Sequence, residues 1–134
     1  MQDIELLKMA IKASENSYSP YSNFKVGAAL LCGSGKVYLG ANIENAAFSE
    51  TVCAERTAFL KAVSEGEREF TCIAIVGSKN EDFSAPCAPC GSCRQVMAEF
   101  CSPDFEIILK DCDNIKKYTL SHLLPLSFDK KAID

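Results

Sequence analysis

Ile4, Leu7 and Ile11, with Leu6, Ala10 and Ala13, recur at the spacing of one helix face, which predicts a helix over 3–16. Pro20 disfavours helical backbone in the residue before it and closes that segment. Val26 to Leu31 and Lys36 to Ala41 are apolar runs joined by Cys-Gly-Ser-Gly, the pattern of a β-hairpin. Thr51 is placed to cap a helix over 52–65, which Gly66 ends. Phe70 to Val76 reads as a buried strand and 77–89 as a polar, proline-containing loop. A helix follows from about Cys90 to Cys101, stopped by Pro103. A strand over Phe105 to Leu109 and a short helix over 119–124 complete the chain. The order α-β-β-α-β-α-β-α predicts a sheet with helices on both faces, a three-layer α/β architecture. With 134 residues, no repeat and no linker-like tract, residues 1–134 are expected to form a single domain.

Composition narrows the function. Apolar residues make up 48% and charged residues 24%, and the net charge is −4. No run of Lys or Arg offers a strip for a phosphate backbone, so a small substrate is expected and a nucleic acid polymer is not. Neither a secretory leader nor an apolar run of the roughly 20 residues that span a bilayer is evident. The expectation is a cytoplasmic protein without membrane association.

Eight cysteines change the picture, because in a reducing compartment clustered cysteines serve metals or catalysis more often than disulfides. Cys32, Cys72, Cys101 and Cys112 fall in or beside apolar stretches and read as small core residues. Cys53 and Glu55 open one predicted helix as Cys-Ala-Glu, and Cys90 and Cys93 open another as Pro-Cys-Gly-Ser-Cys. Two helix N-termini meeting at one sheet edge would bring three thiolates together. Zinc with three protein ligands keeps a fourth position for water, which it acidifies. Three thiolates leave a net charge of −1, which opposes that acidification. The partial positive charge of the helix N-termini offsets it, and Arg56 and Arg94 are expected to add hydrogen bonds to sulfur. Glu55, two residues after Cys53, is placed to move protons at the open position without being a ligand.

Pro-Cys-x-x-Cys occurs in two registers, over 86–90 and over 89–93. The second puts both sulfurs at the helix opening and selects Cys90 and Cys93. The first would recruit Cys87, which as a fourth thiolate would close the site into a structural centre. A closed structural site has no use for Glu55. His122, the one histidine, receives no role.

Cys-x-Glu followed by Pro-Cys-x-x-Cys is the signature of zinc-dependent deaminases. "PYSNFKVGAALL" at 20–31, "NIENAAFS" at 42–49, "CAERTAFLKAVSEG" at 53–66, "PCGSCRQVMAEF" at 89–100 and "LLPLSF" at 123–128 together resemble the homotetrameric cytidine deaminases, in family order across nearly the whole chain. The resemblance implies a three-layer α/β/α fold with a central mixed five-stranded sheet, and one Zn²⁺ per subunit on Cys53, Cys90 and Cys93. It implies Glu55 as the catalytic proton shuttle and hydrolytic conversion of cytidine and deoxycytidine to uridine and deoxyuridine, in pyrimidine salvage. Asn42 and Glu44 are then expected to hold the ribose hydroxyls, Phe24 to pack on the nucleoside, and the backbone at Ala54 to read the pyrimidine edge. Arg56 is expected to support the ligands, and Phe128 to reach into a neighbouring subunit's site of a homotetramer. Two departures stand out: Phe48 where many relatives carry Tyr, and the additional Cys87. Deaminases of blasticidin S share the zinc motifs, but "NIEN" and "PYSNF" favour plain nucleosides. A polynucleotide-editing deaminase is disfavoured by the acidic charge and short chain.

Overall fold

A computed structural model describes residues 1–134. In chain order it contains α1 (Asp3–Ser14), β1 (Lys25–Cys32), β2 (Val37–Ala41), α2 (Ala54–Ser64), β3 (Phe70–Ser78), α3 (Gly91–Phe100), β4 (Glu106–Asp111), β5 (Asn114–Thr119) and α4 (Leu120–Leu123). The strands form one sheet in the order β2-β1-β3-β4-β5. β3 and β4 are parallel and every other pair is antiparallel. A parallel pair needs a crossover, and α3 makes it.

Period-two alternation sorts the strand residues between two helical layers. Ala28, Leu30, Ile73, Ile75, Ile107 and Leu109 face α2 and α3, where Ala54, Ala58, Phe59 and Met97 meet them. Ala29, Cys72, Ala74, Val76 and Ile108 face the other way and pack under Leu6, Leu7 and Ala10 of α1. This is the expected three-layer α/β/α arrangement around a mixed five-stranded sheet. No helix is long and apolar enough to cross a membrane.

Two elements differ from the pattern reading. β5 was not predicted, because its residues are almost all exposed and carry no buried alternation. It forms through pairing with β4 across a two-residue turn at Cys112-Asp113, with Cys112 at φ 55. Thr51 is not the cap of α2. Ile43 and Val52 pair by reciprocal backbone hydrogen bonds of 2.9 Å, which keeps the chain extended as far as Cys53. Cys53 is the N-cap, and the Thr51 hydroxyl accepts from the Asn45 N–H instead.

The topology decides where function can assemble. β1 runs antiparallel to both β2 and β3. The start of β1, the end of β2 and the end of β3 therefore lie at the same edge of the sheet. Phe24, Asn42 and Glu44, and the loop running to Cys90 are all delivered to that edge.

Candidate active site

The sulfur cluster follows from helix geometry. Cys53 and Cys90 are the N-cap residues of α2 and α3, both extended, and neither uses its side chain as a cap. Their carbonyls enter the first helical hydrogen bonds, to Thr57 N and Arg94 N. The two thiols are thus free to point away from the helices. Cys93 lies in the first turn of α3 and is buried.

The Cys53 and Cys90 sulfurs are 3.8 Å apart and those of Cys90 and Cys93 3.6 Å, and all three lie within 4.8 Å of one another. Zn–S bonds of about 2.3 Å at tetrahedral angles separate sulfurs by about 3.8 Å, so the cluster has the dimensions of a zinc tripod. Cys87 is not among the three. Its burial pushes its thiol up to about 12, with the charges of Glu55 and Cys53 adding to the effect. The Cys53 thiol is instead drawn down to about 5. The hydrogen bond from Cys93 is the largest cause, and Arg56 and Cys90 add to it against the cost of burial.

Arg56 Nη2 donates to Cys53 Sγ at 3.5 Å, while its buried Nε–H has no protein partner. Arg94 departs from expectation. Its Nε donates to Pro89 O at 2.8 Å and its Nη1 to Leu123 O at 2.7 Å. It therefore braces the loop before Cys90 against the C-terminal segment, and its reach away from α3 takes it off the sulfurs.

Glu55 is only 4% exposed. Burial pushes its carboxyl up to about 7, with the nearby charge of Cys53 contributing. It lines a cleft of about 190 Å³ together with Val26, Asn42, Val52, Ala54, Cys87, Cys53 and Cys90. The arrangement sets a buried carboxylate beside three metal-ready sulfurs in a hollow with a mostly apolar lining.

The other residues expected from the sequence are disposed as follows. The Asn42 side chain is nearly buried: its Oδ1 accepts from Ser17 Oγ and Val26 N, and its Nδ2 donates to Phe24 O at 2.8 Å. The Phe24 ring and Cys87 Sγ both lie over Gly77, where a side-chain carbon would stand 2.7 Å from each. Glu44 does not line the cleft; its carboxylate receives the Tyr21 and Ser22 amides and the Ser22 hydroxyl. Phe48 is exposed, edge-on to Tyr21 at 6.0 Å. Phe128 is exposed and does not reach this cleft, its carbonyl accepting from Gln95 Nε2 at 2.7 Å. The sequence reading missed Ser17, Ser22 and Gln95. Only the proximity of Ser22 to Phe24 within "PYSNF" hinted at any of them.

The chain is similar to known proteins over most of its length. Residues 1–108 match the family described as "Cytidine and deoxycytidylate deaminase zinc-binding region". A protein of Sporosarcina psychrophila named cytidine deaminase is 49% identical over 133 residues, covering 98% of this chain and 95% of its own. One of the same name from Halalkalibacterium halodurans is 52% identical over 124 residues, covering 92% and 91%. The crystal structure of cytidine deaminase from Burkholderia pseudomallei superposes with a TM-score of 0.87 at 44% identity, over 96% of this chain and 100% of that one.

Proposed function

The chain belongs to the cytidine and deoxycytidylate deaminase family, and from that premise we propose that it hydrolyses cytidine and deoxycytidine to uridine and deoxyuridine, releasing ammonia. It is a zinc-dependent cytidine deaminase, a hydrolase acting on a C–N bond. The observation that carries the site assignment is the buried carboxylate of Glu55 beside the tripod of Cys53, Cys90 and Cys93.

In this reading the three thiolates would hold zinc, and Cys87, which is not among the clustered sulfurs, would leave the protein's contribution at three ligands, the number that keeps a place for water. Bound there, zinc supplies a Lewis acid that makes water nucleophilic at neutral pH. Glu55 takes the proton that water gives up and returns it to the substrate, on a ring nitrogen or the departing amine. Oxygen from water replaces the amino group at C4, and ammonia leaves. Arg56 shares the negative charge of Cys53. The backbone at Ala54, buried at the start of α2, meets the edge of the base. Phe24 flanks the nucleoside, and Asn42 and Glu44 hold its sugar. A free nucleoside as substrate suits a cytoplasmic role in pyrimidine salvage.

The exposed apolar side chains of Tyr21, Ile43, Phe48, Leu126 and Phe128 support a homotetramer in which Phe128 enters a neighbour's site.

Purified protein supplied with cytidine, and separately with deoxycytidine, is expected to release ammonia with the matching change in ultraviolet absorbance. A zinc chelator should abolish both. A folded, zinc-loaded protein that converts neither nucleoside would overturn the proposal.

A further inference from the structure

We propose that Ser22 is a positioning residue for sugar recognition, holding the one oxygen of Glu44 that remains able to accept a hydroxyl of the nucleoside. The inference rests on the reading that Glu44 binds the sugar. A carboxylate offers about two acceptor positions per oxygen. Glu44 Oε1 already takes the backbone N–H groups of Tyr21 at 2.9 Å and Ser22 at 3.1 Å, so it is filled. Oε2 takes only the Ser22 hydroxyl and keeps one position. A sugar hydroxyl donating to Glu44 must therefore meet Oε2, at an angle that the Ser22 hydroxyl sets.

The same hydroxyl accepts from the Phe24 N–H at 3.0 Å. On its other side the Phe24 carbonyl is held by Asn42 Nδ2. One serine thus ties the sugar-binding carboxylate to the backbone of the residue that flanks the nucleoside, and Asn42 completes the bracket. Ser22 is exposed and belongs to neither core cluster, so its hydroxyl has no evident packing duty. Its hydrogen bond is also the largest of the causes that hold the Glu44 carboxyl below its ordinary range.

The test compares wild type, Ser22→Ala, Ser22→Thr, Glu44→Gln and the Ser22→Ala/Glu44→Gln double variant, all zinc-loaded, with cytidine and with 2′,3′-dideoxycytidine, which lacks the 2′ and 3′ hydroxyls, the ones that would meet Oε2. Ser22→Ala should raise KM for cytidine roughly tenfold with kcat nearly unchanged, the scale of losing a hydrogen bond to a charged group. Ser22→Thr should restore KM. The effect should be absent with the dideoxynucleoside and absent when Glu44 is already Gln. If Glu44→Gln raises KM for cytidine but Ser22→Ala does not, the positioning role is overturned and the sugar reading stands. If Glu44→Gln also leaves KM unchanged, the sugar reading falls and the inference with it. Equal losses on both nucleosides would overturn the inference by showing that Ser22 acts on the Phe24 turn and not on Oε2.

Discussion

Under the proposed mechanism, Glu55 separates chemistry from metal holding at the scale of one residue. Its carboxylate is buried beside the sulfurs, two residues along from Cys53, whose thiol is one of the three that could hold a metal. Glu55→Gln keeps the shape and removes the proposed base. The variant should bind one zinc per chain, unfold at the wild-type temperature, and lose about 10³-fold in kcat, within the range for general acid–base catalysis. Metal analysis and steady-state rates on the same preparation check this. An inactive variant that had also lost its zinc would show Glu55 to be part of the metal site and not its proton carrier. The cluster was legible from the sequence because its cysteines come as two short motifs, each opening a helix. The bracket around Phe24 was not, because Asn42 and Glu44 meet Ser17 and Ser22 across more than twenty residues, and hydrogen bonds at that separation leave no periodic trace.

The precision of the site is set at the scale of elements by how closely helices approach the sheet. Gly40 on β2 lets the first turn of α2 lie directly against the strand. A side-chain carbon there would collide with Ala54 O and stand 2.6 Å from Ala58 N. Gly27 on β1 plays the corresponding part for α1, against Ala10 O and Ser14 N. Alanine at either position should cost about 1–3 kcal/mol through overpacking against backbone that has no rotamer to yield. The consequences for activity should differ. Gly40→Ala pushes on the turn carrying Ala54 and Glu55, and is expected to lower kcat/KM tenfold or more at a temperature where the protein is still folded. Gly27→Ala pushes on α1, which contributes nothing to the cleft, and should leave kcat/KM within about twofold of wild type. Thermal unfolding paired with kinetics distinguishes the two, and equal kinetic losses would refute the assignment of α2 placement to Gly40. Neither glycine stood out in the sequence, since both sit inside ordinary apolar strand patterns. β5 was hidden for the opposite reason: an edge strand whose side chains face water, Lys116 and Lys117 among them, carries no hydrophobic signal. Thr51 suited the composition of a helix cap, but the long-range pairing of Ile43 with Val52 moved the helix start to Cys53.

α3 joins the site to the outer surface at the scale of the whole molecule. It carries Cys93 inward, while Arg94 grips both Pro89 and Leu123, and Gln95 grips the carbonyl of Phe128. The C-terminal segment is therefore anchored to α3 and to the loop before Cys90, and Phe128 is 66% exposed and does not line its own cleft. A ring held in that way can serve a cleft only by entering one on another copy. The proposed tetramer then predicts complementation. Glu55→Gln chains lack the base but keep Phe128; Phe128→Ala chains keep the base but lack the ring. Each alone should be weak, the first nearly dead and the second raised in KM. Chains mixed one to one before assembly should pair an intact Glu55 with an intact Phe128 in about a quarter of sites, by random association in a closed symmetric oligomer. Activity at low cytidine concentration should then exceed the sum of the separate variants, while the same chains assembled apart and mixed afterwards should not show the gain. Strictly additive rates in the co-assembled sample would mean that Phe128 does not act across a subunit boundary, and the outward ring would be an interface residue without a part in binding the nucleoside.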